Sequence, residues 1–422
     1  MGNWAFNWVQ IVAHNKKPIA WRLGLLFAVI GYGLVDFDWT GLQDLAPQLV
    51  IASLAITGFL AWITESLKTA LLQLFLSIVA LLTTFGVMGW LEIAVHQASI
   101  LAVLAVIMMV SSNLVHALNT LLREMARGLF QYDAVAEALK LNFQPIFLSN
   151  LTTALGFLFA GWLNPQMMDM GWIVAIGALV SLILTLTLMP ILLLSFLLEF
   201  RVGNTADRHG FRNLLEWLES KLHWRKALIL VTALLTAVLL WASYKPLFNL
   251  PMLLLLVVFG ALFLLYWKSP RLVFFALWLA VTAWLISFQI NQQLVFPLLE
   301  QLAYYAKSSA FDLEQSITVI LMLSLGLIID DAVHFFSRYH YAQQGVFRDS
   351  LSAVKFSMAS VARPIWITSW LLAITMLILV FNSNLFIAAA ALLTLSSIFV
   401  VTFMVLLWLP LVLTKKPEIT ND

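Results

Sequence analysis

The chain of 422 residues contains no cysteine and very little charge. The missing cysteine excludes disulfides and thiolate metal sites. Charged residues make up 10% of the chain and hydrophobic residues 62%, whereas a soluble globular protein carries about 25% charged residues. A chain of this composition cannot cover its surface with polar groups, so its expected solvent is lipid. The net charge of +2 gives no sign of an acidic partner, and no nucleic-acid partner is expected.

Sequence patterns of common catalytic sites are also missing. The chain has no Gly-Lys-Ser/Thr phosphate loop, no Gly-x-Ser-x-Gly and no His-Glu-x-x-His, which are the signatures of nucleotide-driven, serine-nucleophile and zinc chemistry. Its seven histidines are scattered. We therefore expect no cofactor, no metal and no enzymatic activity.

Long apolar runs dominate the sequence. A helix needs about 20 mostly apolar residues to cross a bilayer, and continuous runs favour helices over the alternating strands of a barrel. The pattern predicts an all-α polytopic membrane protein of about twelve transmembrane helices. The predicted spans are Pro18–Val35, Leu49–Thr64, Thr69–Trp90, Ser99–Leu118, Ile146–Trp162, Gly171–Leu198, Ala227–Ser243, Leu250–Trp267, Leu272–Ile290, Ile317–Phe336, Ile365–Phe381 and Leu385–Leu413.

The distribution of lysine and arginine supports this topology. With the N-terminus in the cytoplasm, 21 of the 23 basic residues fall on the cytoplasmic side, and only Lys245 and Lys307 fall outside. Basic residues accumulate in cytoplasmic loops, so both termini are expected in the cytoplasm and the membrane is expected to be a bacterial inner membrane. Three amphipathic stretches are expected to lie in the headgroup region as linker helices: Asn3–Ala13, Phe211–Trp224 and Gln292–Lys307.

An internal repeat organises the chain. Four landmarks recur at offsets between 216 and 220 residues, which predicts two parallel six-helix copies related by an axis along the membrane normal. The expected boundaries are 1–200, a cytoplasmic amphipathic linker helix at 201–226, and 227–422. The paired landmarks are Val115-His116 with Val333-His334, Tyr132-Asp133-Ala134 with Arg348-Asp349-Ser350, Gln144-Pro145-Ile146 with Arg363-Pro364-Ile365, and Met189-Pro190 with Leu409-Pro410.

Asp330 and Asp331 are the only charges predicted deep inside a span. His334 shares a helix face with both, because residues three or four apart are neighbours on a helix. A carboxylate in the membrane must be protonated, paired or hydrated, and each of these makes it a proton-titrating group. The sequence therefore predicts a proton relay of Asp330, Asp331 and His334.

Polar residues of neighbouring spans are predicted to support these acids. Ser112 and Asn113 occupy the aligned positions of the fourth span and could bond the aspartates, and Thr368 and Ser369 lie early in the eleventh span. Competing interpretations remain open. Asp331 could cap the helix at the cytoplasmic interface near Arg338, His116 is more simply a packing residue than a relay member, and hydroxyls often bond only their own helix backbone.

The tenth span resembles a known family. Gly326-Leu-Ile-Ile-Asp-Asp-Ala-Val-His-Phe-Phe-Ser-Arg-Tyr339, followed by Arg363-Pro364, Thr368-Ser369 and Leu409-Pro410, is similar to the core of the RND (resistance–nodulation–division) superfamily, and most similar to its MMPL-type predicted exporters. The resemblance covers both halves. It implies the twelve-helix RND membrane domain, and export of a lipid or other hydrophobic molecule driven by the proton-motive force. Asp330 and Asp331 would be the relay acids.

The chain departs from that family in two ways. Family members carry large porter domains after spans one and seven, where this chain has only short connections near Asp36–Gln48 and Tyr244–Leu250. Many relatives also place acids in the fourth span, where this chain has Ser112 and Asn113. The first hypothesis is a reduced transporter that moves a membrane lipid or hydrophobic small molecule, or that works with a separate periplasmic partner or as a homo-oligomer. The alternative is a non-transporting membrane scaffold or lipid-sensing module akin to sterol-sensing domains.

Overall fold

The computed structural model describes residues 4–35, 37–43, 46–195, 208–242, 250–295, 297, 313–345 and 349–414. These residues are almost entirely helical and contain no strand, as lipid-embedded backbone requires. The major helices of the first half are α1 (Trp4–His14), α2 (Lys16–Tyr32), α3 (Ala46–Thr64), α4 (Leu67–Trp90), α5 (Ile100–Ala126), α6 (Gln131–Leu163) and α7 (Met168–Leu186, continued by Leu188–Ser195).

The second half repeats this order. Its helices are α8 (Arg208–Ser220), α9 (Arg225–Ala242), α10 (Leu250–Trp267), α11 (Pro270–Ile290), α12 (Leu313–Gly345), α13 (Ser350–Val380) and α14 (Leu385–Phe403, continued through a π-helical turn at Met404–Trp408 to Leu409–Leu413).

Eleven helices of the described residues, namely α3 to α7 and α9 to α14 with their continuations, are long and apolar enough to cross a membrane. The predicted first span is α2, whose 17 residues rise about 25 Å. That length is at the short end of the roughly 17–25 residues of a membrane helix. The prediction of an all-α polytopic membrane protein is therefore confirmed.

Helix packing in the two halves follows one pattern. α6 of the first half packs against α12, and its equivalent α13 packs against α5. In the same way, α3 packs against α13, and its equivalent α10 packs against α6. The amphipathic helices also make equivalent contacts, since α1 packs on α6 and α8 packs on α13. Contacts at these two places join Phe6 to Lys140 and Glu219 to Lys355. Each half is thus one amphipathic helix followed by six long ones, while the exact boundaries 1–200, 201–226 and 227–422 stay a prediction.

Burial separates the long helices into two groups. α5 is buried along its whole membrane window and α12 along most of its own. α2, α3, α9 and α10 expose large apolar side chains instead, among them Trp21, Trp62, Leu234 and Leu265. Apolar side chains that face outward need a lipid solvent. The inner pair α5 and α12 therefore forms the protein core, and the outer helices face the bilayer.

Two connections predicted to be cytoplasmic loops are helical. α6 begins at Gln131 and α13 at Ser350, so both helices run through the prolines expected to open the spans, Pro145 and Pro364. Proline removes one backbone donor, but the residues before it carry alanines and apolar residues at helical spacing, and the helix continues past it. The third predicted interfacial stretch, Gln292–Lys307, lies mostly outside the described residues, as does Asp36.

Asp349 explains why α13 starts where it does. One of its carboxylate oxygens accepts a hydrogen bond of 2.8 Å from the Ser352 backbone N–H, the arrangement of a helix N-cap. This hydrogen bond holds the pKa of Asp349 below its ordinary value. The carboxylate satisfies a backbone donor that the helix itself leaves free.

A close helix crossing lies between the two halves. A Cβ atom built on Gly156 of α6 would lie 2.8 Å from the Cα of Gly326 in α12, and Thr153 Oγ1 donates 2.9 Å to the Gly326 carbonyl. Small residues let membrane helices approach this closely. The glycine pair therefore sets the separation of α6 and α12.

Substitution of this crossing should weaken the fold. Gly156→Val should lower the free energy of unfolding by about 1–3 kcal/mol, because the added atoms meet backbone that cannot move aside. The matched control is Gly58→Val, since nothing lies within 4 Å of a Cβ there. Thermal unfolding in detergent measures both variants, and equal midpoints for the two would contradict this account of the crossing.

Candidate functional site

The centre of the protein is a seam between α5 and α12 in which residues meet their own repeat equivalents. Ser112 contacts Asp330, the ring of His116 stacks on that of His334, and Thr120 contacts Arg338. Each pair is separated by 218 residues in the sequence. Contacts between equivalent residues on successive turns arise when a twofold axis runs between two parallel helices. The geometry matches the predicted parallel repeat, and the paired residues are termed the seam below.

Asp330 is bound by the first half of the protein. Its carboxylate accepts a hydrogen bond from Ser112 Oγ at 3.1 Å and another from Ser149 Oγ on α6. His334 Nε2 lies 3.4 Å from Oδ1 of the same carboxylate. The Asp330 side chain keeps 20% of its surface exposed, whereas His334 keeps 1%. Asp330 is therefore an acid at the boundary between the halves, with one side open.

Asp331 is bound by the second half. Its two carboxylate oxygens accept from Thr368 Oγ1 at 3.4 Å and from Ser369 Oγ at 3.0 Å, both on α13. Thr402 of α14 donates to Ser369 Oγ at 2.7 Å. Successive side chains of a helix point about 100° apart. The two adjacent aspartates are therefore hydrogen-bonded by different halves.

The hydroxyl of Ser369 suits both protonation states of Asp331. It lies 2.7 Å from the Ile365 carbonyl and 3.0 Å from the carboxylate, and a hydroxyl has one proton to donate and two lone pairs. With the acid ionised, Ser369 donates to Asp331. With the acid protonated, Asp331 donates to Ser369, which then bonds the Ile365 carbonyl.

The two histidines form a stacked pair at the middle of the seam. Their ring centroids are 3.5 Å apart with an interplanar angle of 14°, and both side chains are buried. Among the described residues, His116 Nε2 and both ring nitrogens of His334 have no hydrogen-bond partner. His116, which the sequence left open as a packing residue or a relay member, lies against His334, the histidine predicted for the relay.

Arg338 lies at the end of the seam, one helix turn beyond the histidines. Predicted on the cytoplasmic side near a helix end, it is instead 2% exposed inside α12, because that helix continues to Gly345 and is covered there by α6. Its Nη2 donates to Asn142 Oδ1 at 2.8 Å and to Thr120 Oγ1 at 3.3 Å. Within the described residues no carboxylate lies at ion-pair distance from it.

Asp330 and Asp331 are thus not the only buried charges, and that prediction is wrong. Glu124 and Asp169 are also buried, at helix ends that neighbouring helices cover more fully than hydropathy suggests. Glu124 pairs with Arg123 and Arg127 at 2.9 and 3.0 Å. Asp169 accepts from Ser99 and lies 3.2 Å from His96 Nδ1.

The remaining predicted residues divide between the site and the first half. Ser112, Thr368 and Ser369 contact the aspartates as expected. Asn113 does not, because its amide donates to Ser181 and Thr185 of α7 at 2.8 and 3.2 Å. Asn113 is the repeat equivalent of Asp331, so it faces the interior of its own half in the same way.

Two cavities border the aspartates. One lies between the halves and has about 400 Å³ of empty space, part of it open to the outside; it is lined by Met109, Ser112, Leu327, Asp330 and Leu371 among others. It lies toward the starts of α5 and α12, on the opposite side of Asp330 from His334 and Arg338. A second, of about 280 Å³, is lined by both aspartates with Thr368 and Ser369. Both spaces leave room for water beside the carboxyl groups.

Sequence reasoning missed four contacts of this site: Ser149, Thr120, Asn142 and Thr402. The repeat offset contains the signal for two of them. Ser149 aligns with Thr368 at an offset of 219, and Thr120 aligns with Arg338 at 218. Asn142 and Thr402 carry no comparable signal, since their role depends on how α6 and α14 rotate about their axes.

Solved structures share this fold. The crystal structure of SecDF in a super-membrane-facing form has a TM-score of 0.62 at 12% sequence identity, and the match covers 87% of this chain and 61% of that chain. The structure of SecDF from Thermus thermophilus, a translocon-associated membrane protein, has a TM-score of 0.63 at 13% identity, covering 89% and 62%. The chain therefore spans about three fifths of the length of these structures.

Sequence comparisons add no relative. No protein-family model matches the chain, and no curated protein matches it. The structural likeness supports the polytopic all-α membrane fold that the sequence predicts. At 12% and 13% identity the likeness concerns the fold alone.

The buried guanidinium should depend on its amide partner. Asn142→Leu should lower the free energy of unfolding by about 1.5–3 kcal/mol, because it leaves a buried charged donor without its acceptor. The double variant Asn142→Leu with Arg338→Met should recover much of that loss, since an apolar pair needs no hydrogen bond.

Unfolding midpoints in detergent decide this prediction. Gln144→Leu, two residues further along α6 on another face, is the control. An unchanged midpoint in Asn142→Leu would mean that Arg338 does not rely on this amide.

Proposed function

We propose that this chain is the proton-conducting membrane part of an RND-type transporter in a bacterial inner membrane, with both termini cytoplasmic. The observation that carries the proposal is the pair Asp330 and Asp331, adjacent on α12 and held by hydroxyls of opposite halves. Ionisable groups inside a membrane domain are costly and usually functional. Here each acid borders a cavity, so each has a route for proton exchange.

The order of groups along the seam supports a path. With the proposed orientation, the cavity beside Asp330 lies on the outer side, and His334, 3.4 Å from the carboxylate, lies on the cytoplasmic side. A proton that enters through the cavity would reach Asp330, exchange with Asp331 on the same helix, and pass to His334. Histidine is suited to such exchange because its ordinary titration range is near neutral pH.

The proposed substrate is a lipid or another hydrophobic molecule, as for the MMPL-type exporters that the tenth span resembles. The support is the apolar lining of the cavity by Met109, Leu327 and Leu371, together with the lipid-facing helices α3 and α10. A hydrophobic molecule can reach such a space sideways from the bilayer, without a soluble funnel. A separate periplasmic protein or a second copy of the chain would supply any further substrate handling.

Proton flux tests the proposal. Proteoliposomes under an imposed pH gradient should acidify or alkalise at a rate above that of empty liposomes. The double variant Asp330→Asn, Asp331→Asn should lose at least about 90% of this flux, because amides keep the shape and cannot exchange the proton. The matched control is Asp349→Asn, since asparagine caps a helix as well as aspartate does.

Equal flux in the wild type, the double variant and empty liposomes would remove the transporter proposal for the isolated chain. The short outer connection between α2 and α3 then favours the second candidate, a membrane scaffold or lipid-sensing module akin to sterol-sensing domains.

A further inference from the structure

His116 is a buried titratable group to which the proposed proton path assigns no role. It lies on α5 with its ring parallel to that of His334, and its Nε2 has no hydrogen-bond partner. The neighbouring pairs of the seam each join two different side chains. One turn before the histidines Ser112 meets Asp330, and one turn after them Thr120 meets Arg338. Only at this turn do both halves contribute the same titratable side chain.

The spacing of the rings limits the charge that they can carry together. Two imidazolium rings face to face at 3.5 Å would place like charges at van der Waals contact in a seam without bulk water, where Coulomb repulsion is weakly screened. A single proton on either ring meets no such repulsion. Groups this close titrate as a pair rather than as two independent residues.

The charged groups around the pair strengthen this limit. On α12, Asp330 attracts a proton at 3.4 Å from His334, and Asp331, three residues before His334, is held by Thr368 and Ser369. Arg338, one turn beyond His334, opposes a second positive charge. Further charged groups on helices packed against the pair include Arg123 and Glu124 of α5, Glu137 of α6 and Arg363 of α13. Glu124 is held by two arginines, and Glu137 is paired with Lys140 at 3.0 Å, so neither carboxylate is free to balance a doubly charged pair.

We propose that His116 and His334 form one shared site that holds a single proton between the two halves of the protein, on the cytoplasmic side of Asp330. The site's role as the carrier after Asp330 rests on the proposed function, whereas its capacity for one proton does not. His116 thereby limits how many protons the pair can hold, since a proton on one ring disfavours a second proton on the other.

Proton uptake measures that capacity. The purified full chain in detergent is shifted from about pH 8 to about pH 5, the range in which histidine titrates, and the protons taken up per chain are counted. The wild type should take up about one proton more than the double variant His116→Gln, His334→Gln. The single variant His116→Gln should also take up about one more than the double variant, because the ring of His334 beside Asp330 remains.

Independent histidines provide the control in the same chain. His14 and His223 are exposed and lie on α1 and beside α8. Their single and double replacements by glutamine should lower uptake additively, by about one and two protons. Thermal unfolding of every variant confirms that a change in uptake does not reflect a lost fold.

The result separates this inference from the proposed function. A difference of two protons between the wild type and the His116, His334 double variant, or of none, would overturn the shared site even if flux depends on Asp330 and Asp331. A difference of one proton without flux in the wild type would uphold the shared site and remove the transporter proposal. With flux present, His334→Gln should lower it at least tenfold, because the ring beside Asp330 is lost.

Discussion

The charged groups of the seam, Asp330 and Arg338, depend on hydrogen bonds from the opposite half, since lipid and packed apolar side chains offer no other partner. This constraint shapes the seam. Asp330 takes its hydrogen bonds from Ser112 and Ser149 of the first half, and Arg338 takes its own from Thr120 and Asn142. The second half carries the charges and the first half carries the neutral groups that solvate them.

This division follows from the repeat itself. The axis brings equivalent residues into contact, so an acid present at both Ser112 and Asp330 would place two carboxylates about 3 Å apart. Like charges at that distance cannot both ionise. The same argument excludes arginine at both Thr120 and Arg338. Chemical asymmetry on a symmetric backbone is therefore what allows charge in the seam, and histidine, which can be neutral, is the titratable residue found on both sides.

Hydropathy predicted which segments form the membrane helices, because burial in lipid requires long apolar runs. It failed at the helix ends, since the start of α6 at Gln131 and the end of α12 at Gly345 are polar but still packed by neighbours. The rule that places basic residues in loops missed Arg338 for that reason. The two aspartates and Thr368 were predictable from their chemistry and from the family resemblance. Thr402 was not, because a hydroxyl on an apolar helix looks the same in the sequence whether it bonds only its own backbone or also a polar side chain of the site.

Under the proposed function, protonation of Asp330 and protonation of Asp331 would weaken different sets of hydrogen bonds. Among the described residues, the hydroxyls that bond Asp330 belong to the first half, with His334 of its own helix 3.4 Å away, and those that bond Asp331 belong to the second half. Hydrogen bonds to a carboxylate are about twice as strong as those to a neutral group.

An ionised Asp330 therefore holds α5 and α6 against α12, and a proton on Asp330 weakens that attachment. A proton on Asp331 alters only contacts inside its own half. Transfer of one proton between neighbouring residues of α12 thus changes the strength of the contact between halves, which is the step that a proton-driven rearrangement of two rigid units requires.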